Sequence, residues 1–526
     1  MSLRAARMRT WWMDSAAWLA GHRAELLLVV AVCLLMVVAG GKLTSSPAAA
    51  GAAMFTGVAV FVMLSDMRVA LFAFAVFLFG YEEFDLSSTE AFFSGQNSTV
   101  LGVRILGVSL MDFLSALLLV PVVVREWLHA RRTGRVRVFD ADMLLVPLLL
   151  LWVYGAILGF FHTRTASTYT WELRDLGHVF VFYVIFSRTF DRTRDVFVFL
   201  ATGGVVFFAK NGVFIARWLR GGGLDVTGGE YSRILLGSDL TLTAFFLCLT
   251  VAAQLVLRPM PRWARIGLGV LSMYLTVMLM AGLGRLTYLL TAAGLVMIFV
   301  LNRRQVRTRT IVVTIGLGAL AAWLFFAAAL DESSRRMISY ALSSAFSWKD
   351  AVMLYGDLSI GARVLEIVNI WTTLSAHGAV LWGLGWGAPW QEYILHPFDL
   401  GSFDIMDQIR GEHVNAHIDA VQFMLKLGVV GTVLLYAAFF RIWRRGVRLY
   451  HVTHERLDRF TLLAVLTLFV VIVPNFIYFI RLKFLLGFVI AAIALYMRVA
   501  DAAHGSEMGD GGGVVDAGDH AEACDA

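Results

Sequence analysis

The sequence predicts an all-α polytopic membrane protein with about fourteen transmembrane helices, each of which needs about 20 mainly apolar residues. Two observations support this fold class. Of the 526 residues, 59% are hydrophobic and only 16% are charged, with a mean hydropathy of +0.74, whereas a soluble protein of this size needs more polar surface. The apolar residues also recur in runs of span length, and short polar segments with clustered arginines separate these runs.

The apolar runs define the predicted spans and domains in chain order. The spans cover residues 25–41, 47–64, 68–81, 105–124, 143–161, 176–188, 196–216, 237–257, 265–283, 286–302, 311–330, 424–440, 460–478 and 482–499. Residues 1–330 therefore hold the first eleven spans, and residues 331–423 form a long loop domain that contains short helices. Residues 424–500 hold the last three spans, and residues 501–526, rich in Gly and Asp, form a disordered tail.

The basic residues predict the orientation of these spans. Clusters of arginines follow spans four, six, eight, ten and twelve, which places all of them on the same side as the N-terminus: Arg131, Arg132, Arg135, Arg137; Arg188, Arg192, Arg194; Arg258, Arg262, Arg265; Arg303, Arg304, Arg307, Arg309; Arg441, Arg444, Arg445, Arg448. The positive-inside rule then puts both termini in the cytoplasm and the long loop on the outer face. Since topology accounts for the net charge of +6, we expect a lipid bilayer as partner and no nucleic acid.

Metal, cofactor and nucleotide motifs are weak or missing in the sequence. No CxxC or CxxH spacing surrounds the three cysteines, so neither a disulfide framework nor a zinc-thiolate site is expected. His413 and His417 are four apart, the spacing of two metal ligands on one helix face, but there is no HExxH motif. The segment WGLGWG contains GxGxG without a strand–turn–helix unit, and no GxxxxGK[ST] occurs. We expect no metal and no cofactor.

The stretch GEHVNAHIDAVQFMLKLGVVG, residues 411–431, places polar groups at the entrance of span twelve. On one continuous helix, His417, Met424, Gly428 and Gly431 share a face, and the two glycines let another helix approach closely. The imidazole then lies at the outer membrane surface. It is either an ordinary interfacial histidine or a general base, which Asp419 or a second acid, Glu412, would orient.

Four arginines lie on the outer side, where the positive-inside rule predicts few. They are Arg285 in GLGRLTYL, Arg363 in SIGARVLEIVNIW, Arg233 in EYSRILLGSDL and Arg174 in WELRDLGH. Snorkelling to the interface is one explanation of Arg285, and an ion pair with Glu366 is one explanation of Arg363. The other explanation is an anion site, because guanidinium groups bind phosphate oxygens in a bidentate manner.

These segments together resemble the O-antigen ligase and O-antigen polymerase superfamily of bacterial inner membranes. The family pattern is a histidine, nine or ten further residues and then Gly-x-x-Gly, at the end of a long outer loop. His417 with Gly428 and Gly431 resembles this pattern. The family's usual Asn, Ser or Gln after the histidine is replaced by Ile418 here. His413, which stands two residues before Asn415, is therefore the alternative histidine.

The resemblance spans roughly residues 230–440, and it implies a fold and a reaction. GLGRLTYL, GARVLEIVNIW with LWGLGWG, and SRILLGSDLTLTAF resemble further family motifs that contain Arg285, Arg363 and Arg233. The implied protein is a GT-C-like, metal-independent, inverting glycosyltransferase that uses a glycan on undecaprenyl pyrophosphate at the periplasmic face. The histidine would be the base, and the three arginines would bind pyrophosphate. Arg174, His413, Asn415 and Asp419 are further candidate residues.

Several functions stay open on this sequence. The first expectation is an O-antigen or exopolysaccharide polymerase, with another lipid-linked glycan as acceptor. A ligase that transfers the glycan to lipid A–core is the alternative within the same family. A lipid-linked glycan transporter or flippase is the rival of another class, although no inverted halves are evident. A non-catalytic assembly scaffold is the last alternative.

Overall fold

The computed structural model describes residues 67–80, 104–105, 108–135, 138–163, 165–219, 224–225, 232–233, 238–257, 259–282, 285–303, 358–393, 412–413, 416, 418–477 and 479–509. These residues form twelve α-helices, one 3₁₀ turn at Asp140–Leu144 and three antiparallel pairs of two-residue strands.

The helices account for most of the described chain. They are α1 Met67–Gly80, α2 Leu110–Thr133, α3 Val146–His162, α4 Ala166–Thr189, α5 Thr193–Leu219, α6 Ser238–Val256, α7 Arg262–Ala281, α8 Arg285–Leu301, α9 Leu358–Ala376, α10 Asp419–Val452, α11 Arg456–Ile472 and α12 Ile480–Gly509. The strand pairs are β1 Arg104–Ile105 with β2 Val108–Ser109, β3 Leu224–Asp225 with β4 Ser232–Arg233, and β5 Trp390–Gln391 with β6 Glu412–His413.

The described residues form an all-α membrane protein. Six of their helical segments are long and apolar enough to cross a bilayer: Asp112–Thr133, Thr193–Gly212, Ser238–Val256, Arg262–Met280, Asp419–Val452 and Arg481–Ala502. Three shorter apolar segments, Met67–Gly80, Val146–His162 and Leu286–Leu301, accompany them. Each predicted span within the described residues overlaps a helix, whereas the predictions at 25–41, 47–64 and 311–330 lie outside these residues.

Helix boundaries differ from the predicted spans where polar residues continue a helix. Helix α4 begins at Ala166 rather than 176, so Arg174 lies inside the helix and not before it. Helix α10 begins at Asp419 rather than 424 and continues to Val452. Helix α12 continues to Gly509, past the predicted start of the tail at residue 501. Hydropathy detects the apolar part of a helix, while backbone hydrogen bonding extends through its polar ends.

Two helices form the centre of the bundle. In the most apolar 18-residue stretch of α6 and of α12, 89% of the stretch is buried inside the protein, compared with 22% in α2 and 17% in α7. Helix α6 packs against α7, α8 and α11, and α12 packs against α4 and α11. Since a bilayer solvates apolar side chains, the exposed apolar residues of α2 and α7 identify these helices as lipid-facing.

Short connections and contacts between helix starts, such as those of Glu172 with Lys426 and of Asp239 with Arg481, give the bundle two chemically different ends. Helices α4, α6, α8, α10 and α12 all begin at one end, which we call the site end. The opposite end, where α5, α7 and α11 begin, we call the arginine end. The arginine end holds the described basic residues of the predicted cytoplasmic clusters: Arg131, Arg132, Arg135, Arg188, Arg192, Arg194, Arg262, Arg265, Arg303, Arg441, Arg444, Arg445 and Arg448.

A small second core lies at the site end, between α9, the start of α10 and residues 380–388, which we call the glycine loop. Ile370 and Leu374 of α9 pack there with Leu384 and Ala388 of the loop, and with Leu425 of α10. Strand β5 follows the loop and pairs with β6, so that residues 412–413 lie beside the loop as well. The segment before α10 is thereby held close to the loop.

Candidate functional site

The site end contains ionisable side chains that are buried inside the helix bundle. Each of them is less than a tenth exposed: Glu172, Lys210, Asp239, Asp419, Lys426 and Arg481. Charged groups within membrane helices are costly to bury, so they pair with one another and commonly mark functional sites. They come from α4, α5, α6, α10 and α12, far apart in the sequence.

The carboxylate of Glu172 connects three chain segments. Its Oε2 accepts a short hydrogen bond from the backbone N–H of Gly387, in the glycine loop. Its Oε1 accepts a hydrogen bond of 3.0 Å from Nε2 of Gln422, in α10. The other amide atom of that side chain, Oε1 of Gln422, accepts a 2.7 Å hydrogen bond from the backbone N–H of Ala416. A continuous polar chain thus runs from the loop to the residue before His417.

Lys426 completes this cluster. Its ammonium group is fully buried, 3.0 Å from Oε1 of Glu172 and 2.8 Å from the carbonyl oxygen of Ala388, to which it donates. The ion pair therefore holds α10 against both α4 and the glycine loop. Burial of this pair is tolerated because each charge also has hydrogen-bond partners.

Helix α10 is interrupted at Gly428, where the backbone adopts φ 69° and ψ −179°. The glycine loop fits against this interruption. Leu384 N–H donates to the carbonyl of Leu425 at 2.8 Å, and Gly385 N–H donates to that of Lys426, also at 2.8 Å. Only glycine fits at Gly428, because a Cβ there would lie 2.3 Å from the carbonyl carbon of Leu381.

The glycine loop also packs closely on α3. Its three glycines all have positive φ, and a Cβ at Gly385 would lie 1.9 Å from the backbone nitrogen of Gly159. Trp386 N–H donates to the carbonyl of Gly155 at 3.0 Å, and its indole N–H donates to that of Trp152 at 2.9 Å. The glycines of WGLGWG thus serve close backbone packing between α3 and α10. This is a structural use of a motif that is weak as a nucleotide signature.

A second buried ionic cluster lies between α5, α6 and α12. Asp239 Oδ1 accepts from Lys210 at 2.6 Å and forms a short ion pair with Arg481. In the adjoining connection, Nδ2 of Asn475 donates to the hydroxyl of Thr241 at 3.1 Å. One carboxylate therefore forms ion pairs with two cations from two neighbouring helices.

Among the predicted site residues whose side chains the structure describes, Asp419 is the buried one. It begins α10, is 2% exposed, and accepts a hydrogen bond of 3.1 Å from the backbone N–H of Ile477. This contact ties the start of α10 to the connection between α11 and α12. The carboxylate is close in sequence to His417, but its described partner is backbone.

The predicted histidines, His413 and His417, precede α10, which contributes Gln422 and Lys426 to the Glu172 cluster. His417 and Asn415 are outside the described residues, whereas the flanking Ala416 is buried and hydrogen-bonded to Gln422. His413 belongs to β6, where its backbone pairs with Trp390, and its side chain is outside the description. Among the described residues, no group of three His, Cys, Asp or Glu side chains is arranged to hold one.

The predicted helical face of residues 417–431 is wrong in one respect. The interruption at Gly428 means that Gly428 and Gly431 do not lie on one regular helix with Met424. Gly428 accommodates the glycine loop instead of a neighbouring helix. The physical reason is that its positive φ turns the chain out of the helical path, which a purely periodic interpretation cannot detect.

The structure places the predicted arginines on three different elements of the site end. Arg285 is the first residue of α8, and Arg233 belongs to β4, before α6; their side chains are outside the description. Arg363 lies on α9, exposed, while Glu366 is buried.

Arg174 has a partner that the sequence did not suggest. Its guanidinium lies 3.1 Å from Asp112 Oδ2 at the start of α2, and His178 Nε2 lies 3.2 Å from Oδ1 of the same carboxylate. The Arg174 side chain is 40% exposed, whereas that of His178 is 4% exposed. Arg174 thus forms part of an interhelical contact between α2 and α4.

Sequence reasoning did not identify the buried cluster. Lys426 interrupts the apolar run QFMLKLGVVG, and Arg481 and Lys483 stand at the start of the last span. A charge inside or at the edge of a predicted span was the available signal. Glu172 and Asp239 carried a similar signal, but no pattern in the chain indicates which cation each would meet.

An apolar cleft adjoins the Glu172 cluster. It is lined by apolar side chains of α3, α4, α10 and α12, together with Trp386 of the glycine loop. Trp152, Phe180, Phe423 and Leu427 are among its lining residues. Leu427 directly follows Lys426, so the cleft and the buried ion pair share the same segment of α10.

No protein-family model matches this chain, and no curated protein matches it significantly.

Proposed function

We propose that this protein is a membrane glycosyltransferase that moves a glycan from undecaprenyl pyrophosphate to a sugar hydroxyl at the periplasmic face. The proposal includes about fourteen spans in a GT-C-like arrangement, with both termini in the cytoplasm of a bacterial inner membrane. Its main support is that the residue preceding His417 is hydrogen-bonded into a polar cluster at the end opposite the arginines.

The chemistry of the proposed reaction suits this arrangement. The acceptor hydroxyl oxygen attacks the anomeric carbon, a C–O bond forms, and the bond from that carbon to pyrophosphate breaks with inversion. His417 accepts the hydroxyl proton as a general base, and the lipid pyrophosphate leaves with the electron pair. Arg285, Arg363 and Arg233 stabilise the charge of this leaving group. No metal or nucleotide is required, because the donor is already activated.

Two features of the described residues support a lipid-linked substrate. The predicted arginines Arg285 and Arg233 occur where α8 begins and before α6 begins, which are both site-end positions. The apolar cleft next to Trp386 lies beside the Glu172 cluster of the same end. An isoprenoid chain in the bilayer and a pyrophosphate at its surface need such adjacent apolar and polar surroundings.

The decisive experiment measures transfer with purified protein and undecaprenyl-pyrophosphate-linked oligosaccharide. We expect His417→Ala to abolish product formation while membrane insertion remains normal. The matched control is His377→Ala, since His377 is an exposed histidine at the end of α9 whose ring contacts only the carbonyl of Thr373 among the described groups. Normal transfer by His417→Ala would overturn the proposal, and loss in both variants would indicate damage to the loop domain.

Complementation then distinguishes polymerase from ligase. The chain is expressed in bacterial strains that lack either enzyme, and the surface glycan is separated on a gel. A polymerase, which we propose first, restores a ladder of repeats. A ligase restores attachment to lipid A–core in the other strain. Restoration in neither strain, together with no transfer by purified protein, would refute both.

A transporter of lipid-linked glycans is the second candidate. It is favoured by a specific pair of observations: helix α10 is interrupted at Gly428, and ion pairs are buried inside the bundle beside it. Discontinuous helices and buried charges are typical of secondary transporters. Proteoliposomes that contain a fluorescent lipid-linked glycan test this candidate. Movement across the bilayer without any transfer product would support transport over transfer.

A further inference from the structure

The hydrogen bonds around Glu172 and Gln422 indicate a role beyond holding helices together. Gln422 uses both ends of its amide: Oε1 accepts from Ala416 N–H at 2.7 Å, and Nε2 donates to Glu172 at 3.0 Å. Gln422 is 2% exposed and Ala416 is fully buried, so water does not compete for these bonds. The backbone immediately before His417 is therefore fixed by a side chain of α10.

We infer that Glu172 and Gln422 are positioning residues for His417, an inference that rests on the proposed function. Glu172 fixes the orientation of the Gln422 amide, because a carboxylate has acceptors only and therefore faces the NH₂ end of the amide, while its other oxygen accepts from the backbone of Gly387. With Nε2 directed at Glu172, Oε1 is directed at Ala416. The orientation of the Gln422 amide thus determines where the N–H of Ala416, the residue before His417, is held.

The other side of His417 is fixed independently. Ile418, the next residue, accepts hydrogen bonds of 2.9 Å at its carbonyl from both Val421 and Gln422 N–H groups, which begin α10. Asp419 is held by the backbone of Ile477. The N–H of Ala416 and the carbonyl of Ile418, one residue on either side of His417, are therefore hydrogen-bonded independently, and removing the Gln422 amide releases only the first.

Lys426 provides an internal comparison. It contacts the same Glu172 oxygen as Gln422, but its second partner is the carbonyl of Ala388, in the glycine loop. Lys426→Met removes the ion pair and leaves the chain Gly387–Glu172–Gln422–Ala416 in place. Gln422→Leu does the opposite. A purely structural role for the cluster predicts the same effect from both variants, whereas a positioning role does not.

The test uses the full-length protein with a lipid-linked oligosaccharide donor and separates kcat from KM. We expect Gln422→Leu to lower kcat by about 10²-fold, the effect of misplacing a catalytic group by about 1 Å, with little change in the donor KM. Lys426→Met is expected to reduce thermal stability and to keep kcat within about threefold of wild type. Asn475→Leu is the matched control, since this amide bonds to Thr241 at the site end but not to the His417 segment.

A second variant keeps the inference testable if Gln422→Leu does not fold. Glu172→Asp keeps the negative charge near Lys426 but draws the carboxylate away from Gln422, and it should also lower kcat at unchanged KM. Wild-type kcat in a folded Gln422→Leu or Glu172→Asp variant would overturn the inference, as would equal loss in Lys426→Met. Activity in His417→Ala would instead overturn the proposed function, so the two failures are distinguishable.

Discussion

Neutralising one partner of the buried ion pair between Glu172 and Lys426 should destabilise the protein more than neutralising both. The two charges are 3.0 Å apart, with side chains 6% and 0% exposed. Removing one partner of such a pair leaves an uncompensated buried charge, which costs about 3–5 kcal/mol. Glu172→Gln and Lys426→Met should each fall in this range.

The hydrogen bonds make the two single variants unequal. In Lys426→Met, the Glu172 carboxylate keeps the backbone N–H of Gly387 and the amide of Gln422 as donors. In Glu172→Gln, the ammonium group of Lys426 loses its buried counter-charge and keeps only neutral acceptors, such as the Ala388 carbonyl. We therefore expect Glu172→Gln to be the less stable protein.

The double variant removes both charges and leaves only a hydrogen-bond mismatch between the new amide and Gln422. Such a loss costs about 1–3 kcal/mol, so the double variant should be more stable than either single variant. The assay is the thermal midpoint in detergent, followed by fluorescence and by the amount of protein that stays monodisperse. Additive effects of the two substitutions would show that the charges are not energetically coupled and would refute this reasoning.

An exposed ion pair provides the control for this experiment. Arg68 and Asp191 approach to 2.6 Å, closer than the buried pair, but their side chains are 29% and 62% exposed. Solvent screening limits such a pair to less than about 1 kcal/mol. Asp191→Asn should therefore shift the midpoint only slightly. A large shift would mean that distance, rather than burial, determines the effect.

Three further variants test other parts of the structure. Gly428→Ala should prevent stable folding, since its Cβ would contact Leu381 in a strained backbone. The control is Gly267→Ala on α7, where open space surrounds the new Cβ, and it should be neutral or stabilising by up to about 1 kcal/mol. Protein yield and the thermal midpoint measure both effects. Asp239→Asn should strongly lower the thermal midpoint, because it leaves two buried cations without their carboxylate. Burial alone would raise the pKa of Asp142, but hydrogen bonds, chiefly from the Arg188 guanidinium, bring it below the ordinary value. A carboxyl whose pKa is lowered in the folded state stabilises the fold above the unfolded-state pKa, and this stabilisation is lost as pH falls through the folded pKa. The midpoints of wild type and Asp142→Asn should therefore differ at pH 7, and the difference should begin to shrink only as pH falls below about 4.

Hydropathy predicted the helices of the described residues but not the buried ionic clusters. A run of apolar residues is a local property, so the spans could be read from windows of the chain, and most errors concern polar helix ends such as Ala166 in α4. The ionic clusters depend on contacts between distant segments. Gln422 and Glu172 are 250 residues apart, and no local pattern encodes their hydrogen bond. Lys426 was conspicuous in its apolar run, but its partner was not.

The interruption of α10 shows why two irregular segments inside the helix bundle depend on each other. In a continuous helix, Val429 N–H would donate to the carbonyl of Leu425, four residues earlier. Here that carbonyl accepts from Leu384 instead, and Val429 donates to Val380 at 2.9 Å. The same exchange occurs one residue later, where Gly385 donates to Lys426 and Val430 donates to Leu381.

Two helical hydrogen bonds are thereby replaced by four bonds between the helix and the glycine loop. Unpaired backbone groups are highly unfavourable in an apolar environment, so non-helical backbone persists there only when it is buried in protein and hydrogen-bonded. The loop satisfies the carbonyls that the interruption exposes, and the interruption satisfies the loop. Each segment alone would leave polar groups unpaired. The glycines of WGLGWG and of GVVG therefore act as one structural unit, and this unit places Gly387 against Glu172, where the polar chain toward His417 begins.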